Sequence, residues 1–199
     1  MNPPVLQLCD VPDYHRAYRS RFSRWFGRTG LRLLGWQPVG KVPADRKLIV
    51  VAAPHTSNWD FVVGILVILA LDIRCFWMGK HSIFRRPFGG FMKALGGIPV
   101  YRDNPVGVAE QMAEQIRNSD SKLIAITPEG TRKRVDKWKT GFLRIAKTAN
   151  CGELQVSLDF QKKQLMMGGV FWPGDDLEAD TARVKEYYRQ FSAKHPEKF

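Results

Sequence analysis

The sequence predicts an α/β fold, a mixed and largely parallel sheet flanked by helices. Three observations lead there. Short apolar runs of strand length alternate along the chain with longer segments of helical character, the order that builds βαβ units. The run from Leu48 to Ala53 reads as a short buried strand, and the segment after it as an apolar helix. Finally, 199 residues with 44% apolar and 25% charged content suit one domain with a single substantial core.

Tyr14–Trp36 carries six arginines and no acidic residue. On a helix, Tyr14, Tyr18, Phe22, Trp25, Phe26, Thr29 and Leu33 share an arc of about 120°, with most arginines outside it. A basic amphipathic helix with Trp and Phe on its apolar face reads as an interfacial membrane segment, or as a terminal helix docked on the domain with solvated arginines. Gly27 and Gly30 are points where it could break in two. Pro38–Asp45 reads as a linker. Residues 1–45 are therefore expected to form a basic amphipathic membrane-associating segment and linker, and residues 46–199 the main domain.

After the strand at Leu48–Ala53, Pro54 stops the run and His55 follows at once. Ser57-Asn58-Trp59-Asp60 fits the S-x-x-[DE] capping box of a helix. The helix continues through Phe61–Leu71, the most apolar run of the chain, which is far short of the ~20 residues a membrane span needs. It reads as a buried core helix, so the protein is expected to sit on a membrane without crossing it. Arg74–Met78 reads as a second strand, Lys80–Pro87 as a basic loop and Phe88–Leu95 as a short helix. Ile98–Tyr101 is a third strand, ended by Arg102. Asn104 is expected to cap the next helix, with Pro105 at its first position and Val108, Met112 and Ile116 on its buried side. Lys122–Thr127 is a fourth strand, followed by the loop PEGTRKRVDKWKTG and a helix over 142–149. Leu154–Phe160 and Leu165–Phe171 read as two more strands, and a charged helix closes the sequence to about Phe191.

The net charge of +12 points to an anionic partner: nucleic acid, a phospholipid surface or a phosphorylated metabolite. Cys9, Cys75 and Cys151 are odd in number and far apart, which disfavours a disulfide framework and a structural zinc site and suggests a reducing compartment. MNPPVLQLCDVPD shows no secretory signal. Together with the basic helix, this makes the cytoplasmic face of a membrane the expected location.

Three segments can carry chemistry. His55 and Asp60 are about 140° apart on a helix and cannot share a face; they can meet if His55 lies in the loop and Asp60 on the helix's first turn. A neutral imidazole whose other nitrogen is held by a carboxylate suits proton abstraction near neutral pH. The bland alternative is a cap carboxylate beside a turn histidine. No G-x-S-x-G elbow or adjoining cysteine supplies an enzyme nucleophile, so the attacking group is expected to be a hydroxyl of the acceptor. Thr127–Arg132 (TPEGTR) offers a hydroxyl, a tight turn at Gly130 and a guanidinium, the makings of a phosphate cradle or of a solvated basic turn. Gly97–Arg102 delivers Arg102 at a strand end.

In this order and spacing the three segments resemble the glycerolipid acyltransferase family typified by 1-acylglycerol-3-phosphate acyltransferases. The H-x4-D block is met by His55 and Asp60, the G-x-I-x-x-R-like block by Gly97, Ile98 and Arg102, and the P-E-G-T-R block by 128–132. A downstream F/W-K-x-G element is echoed by Trp138, Lys139 and Gly141. The resemblance implies a glycerol-3-phosphate acyltransferase-like fold over a catalytic domain at 46–199. It also implies His55 as base with Asp60 orienting it, and substrate binding by Arg102, Glu129, Gly130, Thr131, Arg132 and Lys139. The donor would be acyl-CoA or acyl-carrier protein as co-substrate, the acceptor a lysophospholipid. No metal or further cofactor is expected, since H-E-x-x-H, EF-hand and P-loop patterns are absent. One departure stands out: where the family has a proline-containing apolar strand, this chain reads Cys151-Gly152-Glu153-Leu154-Gln155-Val156. It bears on the shape of the acyl or acceptor pocket and motivates a second reading, an O-acyltransferase for a non-glycerophosphate lipid such as a lyso-aminolipid. A nucleic-acid-binding module would account for the charge, but it leaves His55, Asp60 and PEGTR without a task.

Overall fold

The computed structural model describes residues 3–101 and 105–199. Its strands are β1 Gln37–Gly40, β2 Lys47–Ala53, β3 Cys75–Lys80, β4 Gly97–Val100, β5 Lys122–Ile126, β6 Gly152–Asp159 and β7 Gln164–Phe171. Its helices are α1 Arg21–Leu34, α2 Asn58–Ala70, α3 Gly89–Ala94, α4 Pro105–Arg117, α5 Gly141–Ala149 and α6 Leu177–Tyr188. The seven strands form one sheet in the order β1-β7-β6-β2-β5-β3-β4. All neighbouring pairs are parallel except the β6–β7 hairpin. The expected mixed, largely parallel sheet flanked by helices is what forms.

Two apolar cores lie on the two faces of the sheet. One gathers Leu48, Val50, Leu154, Val156 and Leu158 under Leu31 of α1 and Val63, Leu66 and Val67 of α2. The other gathers Ile49, Val51 and Ile124 under α4, α5 and α6, through Met112, Ile116, Leu143 and Tyr188. Alternate residues of β2 thus enter opposite cores, as the pleat requires. β2 meets an apolar core on each face and is apolar from Leu48 to Ala53, which is why that run was legible.

The N-terminal region departs from expectation in three ways. The helix occupies Arg21–Leu34 alone; Asp13–His15 is a 3₁₀ turn, and Tyr18 at φ 53° breaks the path between them. Ser20 starts α1 by accepting a bond from the Ser23 N–H at 3.2 Å. Gly27 and Gly30 do not break α1, because they lie where it crosses α2. A Cβ on Gly27 would stand 2.5 Å from the Ala70 nitrogen and 2.7 Å from the Leu66 carbonyl oxygen. The docked side of the helix is therefore its small-residue side, and Phe22, Trp25, Phe26 and Leu33 face outward. Finally, the stretch read as a linker opens with an edge strand: Val39 is buried and β1 pairs with β7. Four residues are too few to show alternation, and a proline is tolerated at an edge.

The N-terminal region is also tied to the sheet by polar contacts. Buried His15 meets the Asp45 carbonyl through Nε2 at 2.9 Å and the Ser121 hydroxyl through Nδ1 at 3.0 Å. Asp72, at the end of α2, accepts the Arg19 N–H at 2.9 Å and lies 3.7 Å from both the Arg19 and Arg24 guanidinium groups.

Of the segment that departs from the family pattern, Gly152–Val156 opens β6, and its pairing with β7 shifts register between Leu154 and Val156. Leu154, Val156 and Leu158 enter the α1–α2 core, leaving Glu153, Gln155 and Ser157 as a buried polar row on the opposite side. Arg102 and Asn104, singled out in the sequence, lie outside the described residues.

Candidate active site

β2 and β5 are adjacent and parallel, with Val51 opposite Ile126. Both therefore end on the same rim, roughly one strand spacing of 4.8 Å apart. His55 follows β2 and Glu129 follows β5, so the sheet alone brings together two segments that are distant in sequence. This rim is where ligands of open α/β sheets bind.

The loop at 54–57 is built around Asp60. Its Oδ2 accepts the backbone N–H groups of Thr56 and Ser57, each at 2.7 Å, and its Oδ1 accepts the Ser57 hydroxyl at 3.0 Å. Ser57 Oγ in turn accepts the Trp59 N–H at 3.1 Å. The cap and the carboxylate expected to orient the histidine are thus one arrangement: Asp60 Oδ2 also lies 3.2 Å from His55 Nδ1. Asp60 is buried, and bonds to a charged acceptor contribute about 1.5–3 kcal/mol each, enough to offset much of the cost of burying it. His55 keeps part of its side chain open to solvent. With Nδ1 held against the carboxylate, Nε2 is the nitrogen left for a ligand.

The TPEGTR turn closes the other side. Gly130 adopts φ 62°, which favours glycine, and its N–H donates to the Thr127 carbonyl at 3.0 Å. Glu129 is buried beneath the loop, where its Oε1 accepts the His55 backbone N–H at 2.9 Å. Its Oε2 has no hydrogen-bond partner among the described residues. Burial pushes this carboxyl up to about 7, against the opposing pull of the His55 bond. Arg132 donates through Nη1 to the Asn58 side-chain oxygen at the head of α2. The Thr131 hydroxyl accepts the Lys133 N–H at 3.3 Å.

An open groove of about 420 Å³ runs beside these loops, walled by residues 56–59, Arg132, Lys194, His195 and Lys198. The structure thus gathers His55, Asp60, Glu129, Gly130 and Arg132 at one rim. Lys139 is exposed and has no hydrogen bond or ion pair among the described residues, whereas its neighbour Trp138 is buried against Tyr188. Arg102 lies outside the described residues. Asn58, Trp59, Lys194, His195 and Lys198 were missed in the sequence. Nothing in the spacing of Lys194, His195 and Lys198 ties them to His55. Among the described residues no group of three His, Cys, Asp or Glu side chains could hold a metal ion.

The α/β sheet thus places the H-x4-D loop and the PEGTR turn side by side on one rim, the two blocks on which the resemblance to acyltransferases rests. The family described as Acyltransferase matches residues 38–158, and the chain belongs to that family. Over 118 residues it is 26% identical to a 1-acyl-sn-glycerol-3-phosphate acyltransferase of Streptococcus pneumoniae (strain ATCC BAA-255 / R6), covering 59% of this chain. It spans less than half, 44%, of that relative's length. In fold it is similar to the crystal structure of the 1-acyl-sn-glycerophosphate (LPA) acyltransferase PlsC from Thermotoga maritima, with a TM-score of 0.60 at 20% identity. That likeness covers 85% of this chain and 76% of the other.

Proposed function

We infer that this protein transfers a fatty acyl group from acyl-CoA or acyl-carrier protein to a hydroxyl of a lysophospholipid such as 1-acylglycerol-3-phosphate. The observation that carries the reading is the 3.2 Å approach of His55 Nδ1 to Asp60 Oδ2, at a rim shared with the PEGTR turn. Membership of the acyltransferase family and the name of the streptococcal relative support it.

In this mechanism the Nδ1 proton points at Asp60, and Nε2 accepts the proton of the acceptor hydroxyl as its oxygen attacks the thioester carbonyl. The C–O bond forms, the C–S bond breaks, and the imidazolium returns its proton to the leaving thiolate. A positioned base of this kind contributes roughly 10²–10⁴-fold in rate. Arg132, with the Thr131 hydroxyl and the Gly130 turn, holds the acceptor's phosphate; Arg102 and Lys139 remain candidates for the same task from the sequence. Glu129 positions the base through the His55 N–H. Holding two substrates beside one imidazole supplies most of the remaining acceleration. The reading invokes no metal or further cofactor.

The protein works from the surface of a membrane, on its cytoplasmic face, with α1 as the contact. Phe22, Trp25, Phe26 and Leu33 are exposed on a helix rich in arginine, the composition of an interfacial segment. No helix among the described residues is long and apolar enough to cross a membrane.

The test is His55→Ala, assayed by mass spectrometry of products formed from acyl-CoA and a mixed lysolipid pool. Transfer is expected to fall by at least about 10²-fold while circular dichroism and thermal melting stay as in the parent. Transfer retained at the parent rate would remove His55 from the mechanism, and a preference for acceptors without phosphate would replace the lysophosphatidate assignment.

A further inference from the structure

The groove beside the H-x4-D loop is completed by a segment that the acyl-transfer mechanism does not use. Residues 192–199 cross the rim where β2 and β6 end, and several contacts hold them there. The Phe160 N–H donates to the Ser192 carbonyl at 2.7 Å. The His195 N–H donates to the Thr56 hydroxyl at 3.2 Å, one residue from the proposed base. Lys194 Nζ stands 4.7 Å from the centre of the Trp59 ring, and the Phe199 ring packs 6.1 Å from Trp138. These are tertiary anchors at both ends of the segment, so its cations are presented to the groove in a set arrangement.

The charge of the groove is one-sided. Arg132, Lys194 and Lys198 line it together with His195, and no carboxylate is among the lining residues. The nearest acid on the segment, Glu197, lies 3.6 Å from His195 Nδ1. Among the described residues none of Arg132, Lys194 and Lys198 has an ion-pair partner. Three cations drawn from two distant segments into one groove repel each other unless an anion joins them, and a phosphate accepts charge-assisted bonds from all three. A volume of about 420 Å³ also leaves room for the group that carries the phosphate.

We propose that Lys194 and Lys198, with Arg132, form a phosphate subsite that anchors a substrate reacting at His55. This deepens the acyl-transfer reading and rests on it. On the mechanism given above, which sets Arg132 on the acceptor, the phosphate is that of the acceptor's glycerol phosphate head; the coenzyme A portion of the donor is the other source of the same chemistry.

Calorimetric titration of the whole protein with glycerol 3-phosphate and with adenosine 3′,5′-bisphosphate separates the two sources, using the parent and the double variant Lys194→Ala/Lys198→Ala. One probe is expected to bind the double variant at least about tenfold more weakly, and that probe names the substrate. The KM of the corresponding substrate rises with it, while kcat stays near the parent value because neither lysine touches the reacting atoms. Equal affinities of parent and variant for both probes, or no binding of either probe to the parent, would overturn the subsite. Because binding is read without turnover, a parent that binds a probe yet transfers no acyl group would refute the acyl-transfer reading and leave the subsite standing.

Discussion

Asp60, Glu129 and Glu153 are three buried carboxyl groups with different environments. Asp60 is given three donors by its own loop and lies beside His55. Glu129 accepts the His55 N–H on Oε1 and leaves Oε2 without a partner among the described residues, and burial pushes it up to about 7. Glu153, fully buried in β6, has neither oxygen partnered at hydrogen-bond geometry. Burial pushes it up to about 8, with Asp180 acting in the same direction and Gln155 offsetting part of the rise. The linkage follows from that value. Below its ordinary value of 4.5 the carboxyl is neutral whether the chain is folded or not. Between there and about 8 the unfolded chain releases the proton first, so stability falls as pH rises, and above 8 the full cost is present. Glu153→Gln keeps the shape and removes the charge. Melting curves should show the variant more stable than the parent at about pH 9 and nearly equal at about pH 4, with each recovered kcal/mol worth roughly 2–4 °C. A difference that does not change with pH would mean the charge of Glu153 is not its source.

At the scale of elements, the pairing of α1 with α2 decides which side of the amphipathic helix the molecule buries. Leu31 and the two glycines meet α2, while the aromatic side is left outside. The close crossing depends on Gly27, where a methyl group would strike backbone atoms that cannot rotate away. Alanine gains about 1 kcal/mol of helix propensity over glycine, but overpacking of this kind costs about 1–3 kcal/mol. The second effect should win, and Gly27→Ala should melt a few degrees below the parent. Gly30→Ala should be milder, because its methyl would meet only the movable Leu66 side chain, at 2.7 Å. A higher melting temperature for Gly27→Ala would show that the helices can separate freely.

For the whole molecule, the net charge of +12 and the exposed aromatic side of α1 make a joint prediction. Each lysine or arginine near an anionic lipid surface contributes about 1 kcal/mol, and salt screens that attraction over a Debye length of about 8 Å at physiological strength. The protein should co-sediment with vesicles containing anionic lipid, less so as salt is raised. The double variant Phe22→Ser/Trp25→Ser should lose most of the binding that persists at high salt, since that part is apolar. Undiminished binding by the variant would take α1 out of membrane contact.

How much of this was legible in the residues alone varies with the range of the forces involved. Strands β2 and β5, the cap at Ser57, the buried run of α2 and the Glu129–Arg132 turn all declare themselves locally, through apolar pattern and turn chemistry. The closeness of His55 and Asp60 was also within reach, because one loop and one helical turn span it. What tertiary structure alone decided were the outcomes of long-range competition. It made an edge strand of residues read as a linker and turned the aromatic side of α1 outward because the glycine side fits α2 more closely. It also set Glu129 beneath the His55 loop and carried Lys194, His195 and Lys198 to the rim. No spacing encodes these placements; they follow from which strands pair and which surfaces pack, and packing acts between residues that the sequence leaves far apart.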